Sequence, residues 1–444
     1  MDTSQYIVAI EIGSSKTVGA VAEKRPDNTL SVIAIESEPT LNFVRYGCIQ
    51  NVESTKASVN RILMKLNNAA QGEIRSVYVG VSGRSLHSMP TEAQRSLSTE
   101  QSITQAILES IKNDASRNAL NNYDTIEVIP RSYSIDKIET RNPVGSFGTD
   151  IKARLNLIVA KPSILINLRR VFNQQIQIKD TITTPVAVAD AVLTADERSL
   201  GCMLVDMGAE TTTVSLYRND ALVYLITIPL GGRNLTRDIT ALGIREENAE
   251  KIKRNIANPL SPNADPVTID NIKSSDASNY ILARTGEIIA NIKSQVSNAG
   301  MSLNDIHSIV LVGGGAELKG IDHELSESVN SSISVRIASS IPARLSTVTP
   351  IPNPVENMGV LALLIAGANR IPNGDSCMTP RQIFKEAPQT ISGDDNDGGN
   401  DIVMNVPKRQ PQPQPEKRRS SLLSKLKDKI VGIIDESDNI NDNY

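Results

Sequence analysis

Residues 203–217 read MLVDMGAETTTVSLY. An apolar run ends at an acid, Asp206; one apolar residue follows, then Gly208, a polar turn and a second β-rich run. β-Branched and apolar residues on both sides of a glycine turn predict a β-hairpin. The same order stands near the start, where residues 7–23 read IVAIEIGSSKTVGAVAE, with Glu11 and Gly13 in the corresponding places. Recurrence of a hairpin with an acid two residues before its turn glycine predicts an internal duplication and two related lobes.

A third glycine turn lies in IHSIVLVGGGAELKGIDHEL, residues 306–325, where a strand runs through Gly313, Gly314 and Gly315 into a helix. Around these turns the periodicity predicts a strand at 30–38 and a helix over Glu53–Ala69 with Val59, Ile62, Leu63 and Leu66 on one side. SVYVGVSG at 76–83 reads as a buried strand, and VLALLIAG at 360–367 as a short buried helix. Between about residues 84 and 165 the texture changes. A polar helix (Ile103–Asn113) lies among the strand-like runs TIEVIPRSYSID and RLNLIVA, with NPVGSFG as a turn between them. This predicts a small α+β subdomain inserted into the first lobe. Helical patterns return at Arg237–Ala257 and Asn279–Asn298.

The expected divisions are 1–83 and 166–200 for the first lobe around an insert at 84–165, and 201–232 for the start of the second lobe. They continue with 233–304 for a helical subdomain and 305–380 for the end of the second lobe and the return to the first. Residues 381–416, acidic and rich in Gly, Pro and Gln, are expected to form a disordered linker, because such a composition cannot bury enough surface to fold. An amphipathic helix at 417–436 would end the sequence.

Composition narrows the function. Among 444 residues there is no Trp and only four Phe, so an aromatic platform for single-stranded nucleic acid is not expected. A net charge of −4 offers no global attraction to phosphate polymers, and no nucleic-acid partner is expected. Cys48, Cys202 and Cys377 are far apart, as are His87, His307 and His323, which argues against a disulfide framework or a thiolate or imidazole metal site. The opening residues lack a basic run before their apolar stretch, and no segment reaches the ~20 apolar residues needed to span a bilayer. The expectation is a cytoplasmic protein whose membrane contact is peripheral.

The segment 417–437, KRRSSLLSKLKDKIVGIIDES, supplies that contact. Stepped at helical angles, Leu422, Leu423, Leu426, Ile430, Ile433 and Ile434 fall within an arc of roughly 120°. Lys427 and Lys429 flank its edges and Lys425 lies on the polar side, behind the collar Lys417, Arg418 and Arg419. This is the pattern of a helix lying in the interface of an anionic membrane. A helix docked on its own domain, or in a partner's groove, has the same pattern.

A hairpin turn rich in Gly and hydroxyls presents backbone N–H groups to phosphate, and Lys16 adds a cation. One such turn is common and says little. Two hairpins in duplicated lobes, followed by strand–GGG–helix in this order, resemble the actin-like ATPase superfamily. TADERSLGCMLVDMGAETTTVSLY, EVIPRSYSID followed by NPVG, AEKIK and the tail together resemble the bacterial cell-division FtsA family. The resemblance covers nearly the whole chain. It implies an α/β, actin-like two-lobed ATPase fold of duplicated ribonuclease-H-like domains. The small inserted α+β subdomain, the disordered linker and the C-terminal amphipathic helix complete it.

The resemblance also implies a site for ATP and Mg. Gly13, Ser14, Ser15 and Lys16 match the first phosphate turn. Asp206, Gly208 and Thr211 match the second, with Asp206 holding Mg through bound water and Thr211 donating to the terminal phosphates. Glu250 and Lys253 match a Glu-x-x-Lys that contacts the nucleoside. Gly313 and Gly314 match the turn beneath the adenosine, and Gly231 and Gly232 a further turn at the cleft. The implied partners are the C-terminal peptide of FtsZ, bound within about residues 233–300, other copies of the chain, anionic lipids and later division proteins. The implied place is the cytoplasmic face of the plasma membrane at the septum.

Two positions depart from the family. Its second turn usually reads Asp-x-Gly-Gly-Gly-Thr or Asp-x-Gly-Ala-Gly-Thr, often with an Asp two residues beyond. Here Glu210 replaces the last Gly and Thr213 the later Asp. A Cβ makes a left-handed backbone angle costly, and an inward carboxylate would repel phosphate. Nucleotide binding with slow or absent hydrolysis is the expectation, unless Glu210 turns outward. The competing readings are an actin-fold kinase, a chaperone-type ATPase, and a pilus-assembly scaffold of the same superfamily.

Overall fold

A computed structural model describes residues 4–40, 42–118, 122–172, 176–255, 272–330, 332–347 and 350–381. The expected linker, apart from Arg381, and the tail helix with Leu422, Leu423, Lys425, Leu426, Lys427, Lys429, Ile430, Ile433 and Ile434, lie outside the described residues.

In the first lobe, Gln5–Ile12 pairs antiparallel with Lys16–Lys24, which pairs antiparallel with Leu30–Pro39. On its other side Gln5–Ile12 pairs in parallel with Ser76–Val81, and that strand with Gln177–Thr183. In the second lobe, Cys202–Met207 pairs antiparallel with Thr212–Arg218, then Ala221–Ile228. On its other side it pairs in parallel with Ser308–Val312, and that strand with Ser334–Ile337. Each lobe is therefore a three-stranded meander whose first strand carries two parallel strands at its back, in one order. The duplication inferred from two hairpins extends to five strands of each sheet.

Helices cover the first sheet on both faces, so an interior strand is enclosed from both sides: all six residues of Ser76–Val81 are buried. Helix Val52–Ala69 is capped by Asn51, whose side chain accepts from the Ser54 amide, and buries Val59, Ile62, Leu63 and Leu66 as expected. Helix Met358–Arg370 packs on Gln5–Ile12, on Ser76–Val81 and on the helix Thr184–Val192. Val360, Leu361, Ala362, Leu363 and Leu364 have no exposed surface, which accounts for its nearly unbroken apolar sequence.

The inserted subdomain is antiparallel: His87–Ser102 and Asp124–Ile135 flank Phe147–Ala160, and Ile138–Thr140 adds an edge. Helix Gln105–Ser116 covers it, giving a separate core of Ile103, Leu108, Ile111, Tyr133, Ile151 and Leu155. The insert interrupts the first lobe in sequence, yet its sheet joins that of the second lobe. His87 pairs with Ile226, Ser88 Oγ accepts from the Leu225 amide (2.8 Å), and Asn156 Nδ2 donates to Leu222 O (2.6 Å). Arg370 ties the insert to the first lobe through Glu127 and Asp180 (2.8 Å each).

The helical subdomain differs from its sequence pattern. The helical region expected over Arg237–Ala257 is divided: Gly232–Ile239 and Glu246–Asn255 form, separated at Gly243, whose φ of 80° no continuing helix can adopt. The long helix runs Ser274–Asn298.

Candidate functional site

The two hairpin turns face one cavity of about 890 Å³ between the lobes. They close alike: the Gly13 amide donates to Lys16 O (3.0 Å) and the Gly208 amide to Thr211 O (2.8 Å). Neither glycine has a positive φ. The turn is tight rather than left-handed, and a Cβ would stand 3.0 Å from Lys16 O at Gly13 and 3.1 Å from Thr211 O at Gly208. Gly13 thus serves by its lack of a Cβ and not by an unusual backbone angle. Gly313 does require glycine: its φ is 83°, and a Cβ would lie 2.5 Å from Asp206 Oδ1. The third turn is thus fitted against the acid of the second hairpin.

Gly13, Ser14, Ser15, Lys16, Asp206, Gly208, Thr211, Gly232, Glu250, Lys253, Gly313 and Gly314 all line the cavity. Gly231 does not. It lies beneath the second hairpin, where a Cβ would meet Gly208 O at 2.6 Å. From there the helix starting at Gly232 directs its first amides at the hairpin, Gly232 to Gly208 O (2.9 Å) and Arg233 to Ala209 O (2.6 Å).

Glu11, noted in the sequence only as the first repeat's acid, also lines the cavity, opposite Asp206. Its carboxylate lies on Gly359 in the first turn of Met358–Arg370, which favours an anion. Burial first, then the Asp206 charge, push Glu11 up to about 7 against the pull of Lys16 and the Val360 amide. Burial pushes Asp206 up to about 6.

The cations are held too. Lys16 Nζ reaches Glu356 (3.1 Å) and Asn357 Oδ1 (2.9 Å), on the loop before that same helix. Lys253 Nζ donates to Glu250 (2.7 Å), Thr236 Oγ1 (2.9 Å) and Gly232 O (3.0 Å). Burial alone would raise Glu250, but Lys253, Arg254 and Thr236 outweigh it and bring the carboxyl down to about 2. The helical spacing Glu-x-x-Lys does place both groups on the cavity wall, as one ion pair. Seven carboxylates and five cations line the whole cavity. A polyanion entering it alone meets net repulsion, which a divalent cation carried with it lessens.

Glu210 faces elsewhere. It has no positive φ, so the expected left-handed cost is absent, and its fully buried carboxylate is bound by Arg45, Arg233 and Arg237 rather than turned to the cavity. Thr213 does line the cavity, with its hydroxyl 3.1 Å from that of Thr227. The contacts of Lys16 with Asn357 and of Glu210 with Arg45 join residues more than 160 positions apart, and no local pattern announces them.

Duplicated lobes of this topology, with glycine turns from both facing one cleft, define an actin-like protein. Consistent with this, the fold is similar to the PilM–PilN type IV pilus biogenesis complex, with a TM-score of 0.58 and 16% identity, over 82% of this chain and 98% of that one. The profile for "Cell division protein FtsA" matches residues 203–355, and that for "SHS2 domain inserted in FTSA" matches residues 83–159. Cell division protein FtsA of Porphyromonas gingivalis is 31% identical over 325 residues, covering 70% of this chain and 68% of that protein. The Pseudomonas aeruginosa FtsA is 25% identical over 391 residues, covering 85% and 92%. The chain belongs to the FtsA family of cell division proteins.

Proposed function

We propose that the interlobe cavity binds ATP with Mg, and that the chain tethers FtsZ filaments to the cytoplasmic face of the plasma membrane at the division septum. The observation that carries the nucleotide reading is the convergence of Gly13–Lys16, Gly208–Thr211 and Gly313–Gly314 on one cavity large enough for a nucleotide. The turn amides, Ser14, Ser15 and Thr211 would cradle the phosphates. Lys16 would leave Glu356 for them, and Glu250 and Lys253 would contact the nucleoside. Among the described residues no cluster of three or more acids, histidines or cysteines could hold a metal alone. That fits Mg, which keeps its waters and uses one or two carboxylates plus phosphate oxygens; Asp206 is the first of these. Thr213 leaves no carboxylate two residues beyond Thr211, so hydrolysis is slow and the nucleotide serves as a clamp.

Among the described residues no helix is long and apolar enough to cross a membrane. The basic amphipathic segment 417–436 would supply the anchor. Self-association into a filament multiplies the weak affinity of each anchor. FtsZ, through its C-terminal peptide, and later division proteins are the remaining partners. Liposome flotation with ATP tests the anchor: the full chain rises with anionic vesicles, and a chain truncated at Lys417 stays below. Equal flotation of the two rejects it.

A further inference from the structure

We propose that Glu210 is a positioning residue that latches the two lobes together and so sets how long a nucleotide remains in the cleft. The residence-time part rests on the nucleotide reading above; the latch itself does not.

The carboxylate of Glu210 has no exposed surface and its contacts come from both lobes. From its own lobe, Arg237 Nη2 reaches Oε1 at 2.9 Å and Arg233 Nη1 at 3.3 Å. From the first lobe, Arg45 Nε lies 2.9 Å from Oε1, and the Tyr46 amide donates to Oε2 at 2.8 Å. Burial would raise this carboxyl; the Tyr46 amide and the three arginines outweigh it and hold it below the usual range.

The first-lobe partner is the two-residue turn of a small hairpin, Val44–Arg45 paired with Cys48–Ile49. Tyr46 and Gly47 are both left-handed, with φ of 52° and 69°. That conformation is disfavoured for Tyr. The Tyr46 ring is flanked by the guanidinium groups of Arg45 and Arg84, each 5.6 Å from its centre. Two successive amides of this turn have different acceptors. Tyr46 donates to Glu210 on the second glycine hairpin, and Gly47 donates to Ser14 Oγ (2.8 Å) on the first. One short turn therefore gauges the separation of the two turns that face the cavity. Glycine at position 210 has no side chain with which to do this.

Opening the lobes separates Glu210 from Arg45 and Tyr46 while leaving Arg233 and Arg237 in place. The latch is thus a partial contact, broken without stranding a buried charge, and suits a cleft that must release its ligand.

The test uses the full chain, with hydrogen exchange and stopped-flow release of a fluorescent ATP analogue. Glu210→Gln and Arg45→Ala are each expected to speed release about tenfold, with little change in the association rate. The double variant should be no faster than Glu210→Gln alone, because that change already removes the charge with which Arg45 pairs. In nucleotide-free protein, Glu210→Gln should also lower amide protection at residues 13–16, which Glu210 does not touch. Arg336→Ala breaks an ion pair with Glu197, neither residue of which lines the cavity. It should lower stability without altering release, which separates the latch from general loosening. Unchanged protection at 13–16 and unchanged release in Glu210→Gln overturn the latch. If the parent chain binds no ATP, the nucleotide reading fails, and the exchange measurement still decides the latch.

Discussion

Replacing Glu11 by Gln should stabilise the nucleotide-free protein at pH 8 and not at pH 5. The folded chain holds the Glu11 proton up to about pH 7, whereas the unfolded chain releases it near 4.5. Between those values the folded state binds the extra proton, so stability falls as pH rises through the window, and the full cost stands above it. A displacement of that size corresponds to about 3 kcal/mol. Glu11 is only half-buried and lines the cavity, where water recovers part of the cost. The variant also loses the attraction to Lys16 and the charged hydrogen bond from Val360. Allowing about 1–2 kcal/mol for these leaves a net gain of about 1–2 kcal/mol at pH 8. The assay is urea unfolding of parent and variant at pH 5 and pH 8, repeated with Mg-ATP. Mg-ATP supplies positive charge beside Glu11, so it should stabilise the parent more than the variant and close the gap. Equal destabilisation by Glu11→Gln at both pH values would refute the reasoning, because it would mean that Glu11 is not a strained anion.

Gly313→Ala should abolish tight ATP binding while the chain still folds. The left-handed angle costs about 1–2 kcal/mol, and the new Cβ must displace Asp206, 2.5 Å away; calorimetry reporting parental affinity would contradict this. Glu356→Gln should tighten ATP binding about fivefold, since a partly exposed pair worth about 1 kcal/mol no longer competes for Lys16; weaker binding would show that Glu356 helps the ligand instead. The Glu250 carboxyl, held near 2, contributes stability that is present above pH 4.5 and lost as pH falls through about 2. With a third of its side chain exposed, the contribution is about 1–2 kcal/mol. Glu250→Gln should flatten the acid limb of a stability–pH curve by that amount, and an unchanged limb would argue against the ion pair.

Much of the molecule is legible in local patterns. The duplication shows because each hairpin writes its own signature of apolar run, acid and turn glycine, and the paired sheets follow from it. The buried helix at 360–367 and the pair Glu250 and Lys253 are legible because helical periodicity acts over four residues. What is hidden depends on distant chain. Glu11 becomes a cleft residue only when Gly359 comes under it, and Lys16 acquires Glu356 across 340 positions. Glu210 reads as a hazard to phosphate if only its neighbours are considered. Its orientation is decided by three arginines and one amide, two of these partners on the opposite lobe. Hidden too is why Gly13 and Gly208 must be glycine, since sequence does not distinguish a tight approach from a left-handed angle.

The central claim is that the two glycine hairpins hold one Mg-bound ATP between them. Isothermal titration of the full chain with ATP and Mg, beside Lys16→Ala and Asp206→Asn, tests it most directly. The account predicts one site per chain, weakened at least tenfold by a change on either hairpin. Binding that ignores both substitutions would contradict it.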